Sequence, residues 1–212
     1  MIKKLIFLLF YLFALQSIFS QEYNFDKLNQ YFNALEKNNK FMGSVAVSKG
    51  DSLIFNRSIG YLDIEMNKKI NYSSKFRIGS ISKTFTSVLI LKSVEDGKLN
   101  LDDTIESYFP EIPNSNKITI DNLLNHRSGI FNLTDSPDYI NYFLEYKSRK
   151  ELINIISNFD SSFKPGKRSS YSNSNYVLLT IILERIYSKD YSEILYEKII
   201  KPYDLKSTYY GE

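Results

Sequence analysis

Apolar and polar positions follow three regimes along the chain. The first is an unbroken apolar run, Leu5 to Leu15 (LIFLLFYLFAL), preceded by Lys3-Lys4 and followed by Gln16, Ser17 and Ser20. A positive start, a short apolar stretch and a small, polar close form the pattern of a secretory signal peptide. The run is too short to span a bilayer comfortably. Cleavage after Ser20 is expected; Ile18 at the minus-three position keeps an uncleaved anchor as the alternative. No cysteine follows the run, so a lipid-anchored form is excluded. Either way the body, residues 21–212, is delivered across a membrane, which implies a periplasmic or secreted protein.

The second regime opens the body. Leu28, Tyr31, Phe32 and Leu35 have helical spacing over Asp26 to Asn38, with Asp26 available as a cap. Val45 and Val47 then alternate with small residues, Gly50-Asp51 supplies a tight turn, and Leu53 to Phe55 resumes, which predicts a β-hairpin. A third short strand is expected to include Phe76 to Ile78. In the third regime the pattern is helical: Ser80 to Glu95 with an apolar stripe of Ile81, Phe85, Val88, Leu89 and Leu91, ended by Asp96-Gly97. Further helices are predicted at Asp121–Asn125, Arg149–Asn158, Asn175–Tyr187 and Tyr191–Ile200, the last closed by Lys201-Pro202. Long polar loops are expected at 102–118 and 159–174. The fold class is therefore α+β, strands first and helices after.

Composition narrows the chemistry. With 43% hydrophobic and 15% aromatic residues the chain can build a core. It has no cysteine, which removes disulfides, zinc–thiolate sites and a cysteine nucleophile together. Outside the first twenty residues, 25 basic residues face 24 acidic ones, so nothing marks a nucleic-acid partner. The basic run Lys147 to Lys150 is a solvated helix face. No His, Asp and Glu cluster has metal-ligand spacing and no Gly-rich phosphate loop occurs, so neither a metal nor a cofactor is expected. Three tripeptides match the glycosylation pattern, Asn132-Leu133-Thr134 among them, and carry no weight in an Asn- and Ser-rich chain.

The candidate chemistry sits in Phe76-Arg77-Ile78-Gly79-Ser80-Ile81-Ser82-Lys83-Thr84-Phe85. Ser80 and Lys83, three apart, share a helix face. A serine hydroxyl is a weak nucleophile until a base lies within hydrogen-bond reach, and a desolvated lysine serves if its pKa falls. The Ser80 N–H, at a helix N-terminus, is placed to donate to an oxyanion. A serine there also caps helices, and Ser-x-x-Lys alone is common.

That stretch resembles the first motif of the serine β-lactamase and penicillin-binding-protein family, in its class C β-lactamase and D-alanyl-D-alanine carboxypeptidase branch. Leu123-Leu-Asn-His-Arg-Ser-Gly-Ile130 is similar to the block that follows the catalytic helix in that branch. Pro165-Gly166 followed by Tyr171-Ser172-Asn173-Ser174-Asn175-Tyr176 is similar to its Tyr-x-Asn motif, and Lys201 to Thr208 resembles the segment leading back to the sheet. The resemblance covers essentially residues 25–210. It implies a β-lactamase-like fold, N-terminal antiparallel strands with a helical subdomain. It also implies a serine hydrolase acting on amide or ester bonds through a seryl acyl-enzyme. On this reading Ser80 attacks the carbonyl of a small-molecule or peptide substrate, Lys83 accepts or relays the proton, and Tyr171 passes it to the leaving group. Asn173 binds the substrate amide and helps hold Lys83. His126, the sole histidine, invites a Ser–His reading, against which the resemblance argues, since its block is structural in the family. The family's third motif, Lys-Thr-Gly or His-x-Gly, does not occur after Tyr176. The expectation is a chain lacking the later sheet strands, poor in catalysis by itself. The alternatives are a non-catalytic relative acting as a binding or sensor module, and an unrelated α+β protein.

Overall fold

The computed structural model describes residues 23–211, which divide in sequence into two compact units, one ending at Phe76 and one starting at Arg77. The expected signal peptide, residues 1–20, lies outside the described residues. No helix among the described residues is long and apolar enough to cross a membrane.

In the first unit, helix α1 (Asp26–Lys37) covers a hairpin of β1 (Gly43–Lys49) and β2 (Ser52–Ile59). The strands pair antiparallel from Gly43↔Ile59 to Lys49↔Ser52, with an irregularity at Val47/Ser48. The predicted Gly50-Asp51 turn closes them, and Gly50 takes φ +56°, a conformation that glycine adopts without strain. Phe32, Phe55 and Ile59 form the core, with Leu28, Leu35, Val45 and Val47 against it. Tyr31 of the expected stripe is exposed. Arg57 of β2 lies over the Phe32 ring and donates to Asn29 and Asn33 of α1. Asp26 is not the cap: the Asn24 side chain accepts from the Asp26 N–H at 2.8 Å. A second pair, β3 (Tyr61–Asp63) with β4 (Lys68–Lys69), is too short and too polar to leave a periodic trace.

The expected strand Phe76–Ile78 does not form. A strand exists through its ladder, and this segment has no partner among the described residues. Phe76 and Ile78 are exposed.

The second unit is helical. A 3₁₀ turn at Gly79–Ile81 leads into α2 (Ser82–Glu95). Then come α3 (Ile120–Leu124), α4 (Tyr139–Tyr142), α5 (Arg149–Ser157), α6 (Asn173–Tyr187) and α7 (Tyr191–Leu195). Reciprocal caps start three of them: Thr119/Asn122 for α3, Ser148/Glu151 for α5 and Asp190/Glu193 for α7. The predicted 191–200 helix is α7 followed by a π turn, Tyr196–Ile200, before Pro202, which has no N–H to continue the ladder.

The core surrounds α6, whose Leu178, Leu179, Ile182 and Leu183 are fully buried, and takes Leu89 and Ile90 from α2 and Leu123 from α3. Two expectations are corrected here. The inward face of α2 is Thr86, Leu89, Ile90 and Ser93, whereas Ile81, Val88 and Leu91 are exposed. α2 is apolar on most sides, so spacing alone could not choose its face. Nor is segment 102–118 a polar surface loop: Ile105, Phe109 and Ile118 are fully buried, and two 3₁₀ turns and a Thr104↔Thr119 bridge satisfy its backbone.

The segment 126–129 supports the loop 159–171. His126, Arg127 and Gly129 offer their carbonyls to the N–H groups of Ser170, Gly166 and Ser162 at 2.9, 2.8 and 2.8 Å. Gly129 has φ +80°, and a Cβ there would lie 2.0 Å from the Phe163 carbonyl oxygen. Gly129→Ala is therefore expected to lower the unfolding free energy by at least about 1–3 kcal/mol, the usual range for local backbone strain. Chemical denaturation checks this, and an unchanged midpoint would refute the close approach.

Candidate active site

Four of the sequence-predicted residues meet at one place in the second unit. Ser80 lies in the 3₁₀ turn before α2, not inside the α-helix, and Lys83 lies one turn further on. Tyr171 precedes the N-cap of α6, and Asn173 is the first residue of that helix, two positions ahead of the predicted start. The first turn of α2 and the N-terminus of α6 thus present all four side chains to one another. Ser80 and Tyr171 are exposed, while Lys83 and Asn173 are half-buried, so the cluster opens to solvent on the side of Ser80 and Tyr171.

The hydrogen bonds close a ring. Lys83 Nζ donates to Ser80 Oγ at 3.2 Å and to Asn173 Oδ1 at 2.8 Å. The Ser80 and Tyr171 hydroxyl oxygens are 2.7 Å apart. Tyr171 Oη donates to Asn173 Oδ1 at 3.3 Å. With the tyrosine proton on Asn173, the Ser80 proton points at Tyr171 Oη. The phenol oxygen is thus the near acceptor for that proton once Tyr171 has ionised, with Lys83 holding the other side of Ser80 Oγ.

Burial alone would raise the pKa of Tyr171. The hydrogen bonds from Lys83 and Ser80 and the positive charge of Lys83 outweigh it, and the phenol ionises below its ordinary value. Lys83 Nζ also lies 5.0 Å from the Tyr171 ring centroid and 5.6 Å from that of Tyr176.

Asn173 is fixed by residues that the sequence did not single out. Its backbone N–H donates to Asn132 Oδ1 at 2.8 Å, and its Nδ2 donates to Asn132 Oδ1 at 3.3 Å and to Thr134 Oγ1 at 3.0 Å. Asn132 Nδ2 is held in turn by Asp135. The amide of Asn173 thus presents its oxygen to Lys83, and its hydrogens are taken by Asn132 and Thr134. Asn132 and Thr134 belong to the tripeptide that matched a glycosylation pattern. A clue in the sequence was their position directly after the Leu123–Ile130 block.

His126 has no hydrogen bond to Ser80. Its Nδ1 accepts from the Ser172 N–H at 3.2 Å, and its ring lies 4.6 Å, centroid to centroid, from that of Tyr171. Burial, and secondarily the charge of Lys83, push its pKa below the ordinary histidine value. The Ser80 N–H lies in a helix's first turn, where backbone donors lack intrahelical acceptors. Among the described residues no group of three or more His, Cys, Asp and Glu side chains could hold a metal ion.

Residues 28–212 match the sequence profile of the family described as Beta-lactamase. The chain belongs to the beta-lactamase family. It is 29% identical over 189 residues to penicillin-binding protein 4* of Bacillus subtilis (strain 168), covering 85% of this chain and 40% of that protein. It is 30% identical over 194 residues to the teichoic acid D-alanine hydrolase of Staphylococcus aureus (strain MRSA252), covering 91% and 46%. Among solved structures it resembles the D-amino acid amidase of Ochrobactrum anthropi SV3 in complex with D-phenylalanine, at 25% identity and a TM-score of 0.70, over 84% of this chain and 50% of that one. The chain thus spans less than half the length of these two curated relatives. Its fold is the α+β fold of the beta-lactamase family, of which the hairpin and the helical region are present. The four side chains gathered here lie within the stretch that matches the family.

The ring predicts a dependence of Tyr171 on Lys83. In Lys83→Met the burial of the phenol remains while its main stabilising partner is gone, so Tyr171 is expected to ionise at higher pH than in the parent. Carbon-13 tyrosine NMR, with the Tyr171 signal assigned by Tyr171→Phe, measures this. An unchanged titration would show that the two groups are not coupled.

Proposed function

We propose that this chain carries the nucleophilic half-site of a serine hydrolase that cleaves amide or ester bonds through a seryl acyl-enzyme. The closed ring of Ser80, Lys83, Tyr171 and Asn173 carries this reading. When Tyr171 is ionised, Ser80 Oγ bonds to the substrate carbonyl carbon as its proton passes to the Tyr171 phenolate oxygen, 2.7 Å from Ser80 Oγ. When the tetrahedral intermediate collapses, the carbonyl-to-leaving-group bond breaks and the same proton goes to the departing amine or alkoxide. Water then repeats the sequence on the acyl-enzyme and returns the proton to Ser80. Lys83 lowers the pKa of the phenol, which favours the phenolate that takes the proton, and polarises Ser80 Oγ. The Ser80 N–H serves as one oxyanion donor.

Asn173 acts first as the acceptor that holds Lys83. A contact from its amide hydrogens to substrate requires exchange of a bond to Asn132 or Thr134. The proposed acyl donors are β-lactams, D-Ala-D-Ala-type peptides and small esters. The names of two relatives, a teichoic acid D-alanine hydrolase and a D-amino acid amidase, favour D-alanyl esters and D-amino-acid amides among these. The lysine-led apolar run before Gln21 supports export to the periplasm or outside the cell.

Covalent labelling tests the proposal. A fluorophosphonate or a β-lactam is expected to add to the peptide containing Ser80, seen by mass spectrometry, with no adduct in Ser80→Ala. Lys83→Met is expected to slow labelling by about 10²-fold or more, the usual weight of a general acid–base group. A folded chain that takes no adduct at Ser80 from either reagent would favour a binding module over an enzyme and would overturn the proposal.

A further inference from the structure

We infer that His126 is the positioning residue for Tyr171, and that it works only as a neutral imidazole with its proton on Nε2. This deepens the reading above, since it rests on Tyr171 as the proton acceptor of Ser80.

The geometry brackets Tyr171. The residue before it, Ser170, donates its N–H to the His126 carbonyl oxygen at 2.9 Å. The residue after it, Ser172, donates its N–H to His126 Nδ1 at 3.2 Å. The imidazole packs against the rings of Tyr171 and Tyr176, at 4.6 and 5.2 Å between centroids. One residue thus holds the backbone on both sides of the phenol as well as the ring. Its own backbone has φ +55°, a region in which His is among the better tolerated non-glycine residues.

Two buried donors facing Nδ1 set the tautomer. The Ile130 N–H donates to Ser128 Oγ at 3.0 Å, and Ser128 Oγ–H donates to Asn175 Oδ1 at 2.7 Å. The same amide presents its Nδ2 to His126, 3.4 Å from Nδ1. His126 Nδ1 faces two N–H donors, from Ser172 and Asn175, both buried. A proton on Nδ1 would meet two others and would leave the buried Ser172 N–H without its acceptor.

The charged group facing the ring is Lys83, from α2; the titratable phenols facing it are Tyr171, before α6, and Tyr176, on α6. All favour or tolerate a neutral imidazole. The sign follows: His126 takes its proton at lower pH than a free histidine. Positioning is intact above that folded-state pKa and is lost as pH falls through it.

The test has two arms. His126 is the only histidine, so nitrogen-15 histidine NMR of the whole chain reads it without ambiguity. The expected result is an unprotonated Nδ1, a protonated Nε2, and titration below the ordinary histidine range. An Nδ1–H tautomer, or an ordinary titration, overturns the inference whether or not Ser80 reacts. The second arm follows fluorophosphonate labelling of Ser80 against pH. His126→Phe keeps a ring but removes the acceptor, and is expected to label at least tenfold more slowly at neutral pH. His126→Asn suits the backbone and returns an acceptor near the Nδ1 position. It is expected to recover most of the rate and to lose the His126 limb at acid pH. Labelling of His126→Phe at the parent rate, or a limb that persists in His126→Asn, contradicts positioning by His126. If the parent itself takes no label while the NMR arm gives the expected tautomer, the failure belongs to the proposed acyl transfer and not to this contact.

Discussion

The second unit is organised around one amine. Lys83 Nζ donates at once to Ser80 Oγ, one turn before it, and to Asn173 Oδ1, at the start of a helix far along the chain. Those two bonds tie the first turn of α2 to the N-terminus of α6. The amine is half-buried, and a lysine removed from water needs acceptors. Asn173 and Ser80 supply them, and Tyr171 shares both oxygens. The hydrogen-bonded ring and the docking of the two helix ends are therefore one arrangement.

That arrangement relies on a buried polar layer beneath it. Ser128, Ser172, Ser174 and Asn175 are all buried, and each is hydrogen-bonded. Ser174 donates to the Phe131 carbonyl and accepts from the Leu133 N–H, which anchors the stretch carrying Asn132 and Thr134. Tyr176 connects Ser87 of α2 with the Leu124 carbonyl at the end of α3. A network of this kind is stabilising only when every member is satisfied, and the bonds named here run in consistent donor-to-acceptor order.

Much of this was legible in the sequence, and the remainder has physical reasons. The hairpin showed itself through alternation and a Gly-Asp turn, and the long helices through their spacing. Ser80, Lys83, Tyr171 and Asn173 were found because their motifs stand in a fixed order that resembles a known family. The burial of Ile105, Phe109 and Ile118 was missed because irregular backbone has no period to read. The inward face of α2 was missed because apolar residues lie on most of its sides. Asn132 and Thr134 act through contacts with a residue distant in sequence, and small polar side chains give no local sign of that. His126 was noticed for being alone, but its contacts join it to Ser170, Ser172 and Asn175, residues distant in sequence.

The account stands on Lys83 and Tyr171 acting on Ser80 as a unit. A double-mutant cycle of Lys83→Met and Tyr171→Phe, read as the rate of covalent modification of Ser80, tests this most directly. The account predicts strong non-additivity, with the double variant reacting no more slowly than the slower single one. Two independent losses that multiply in the double variant would contradict it.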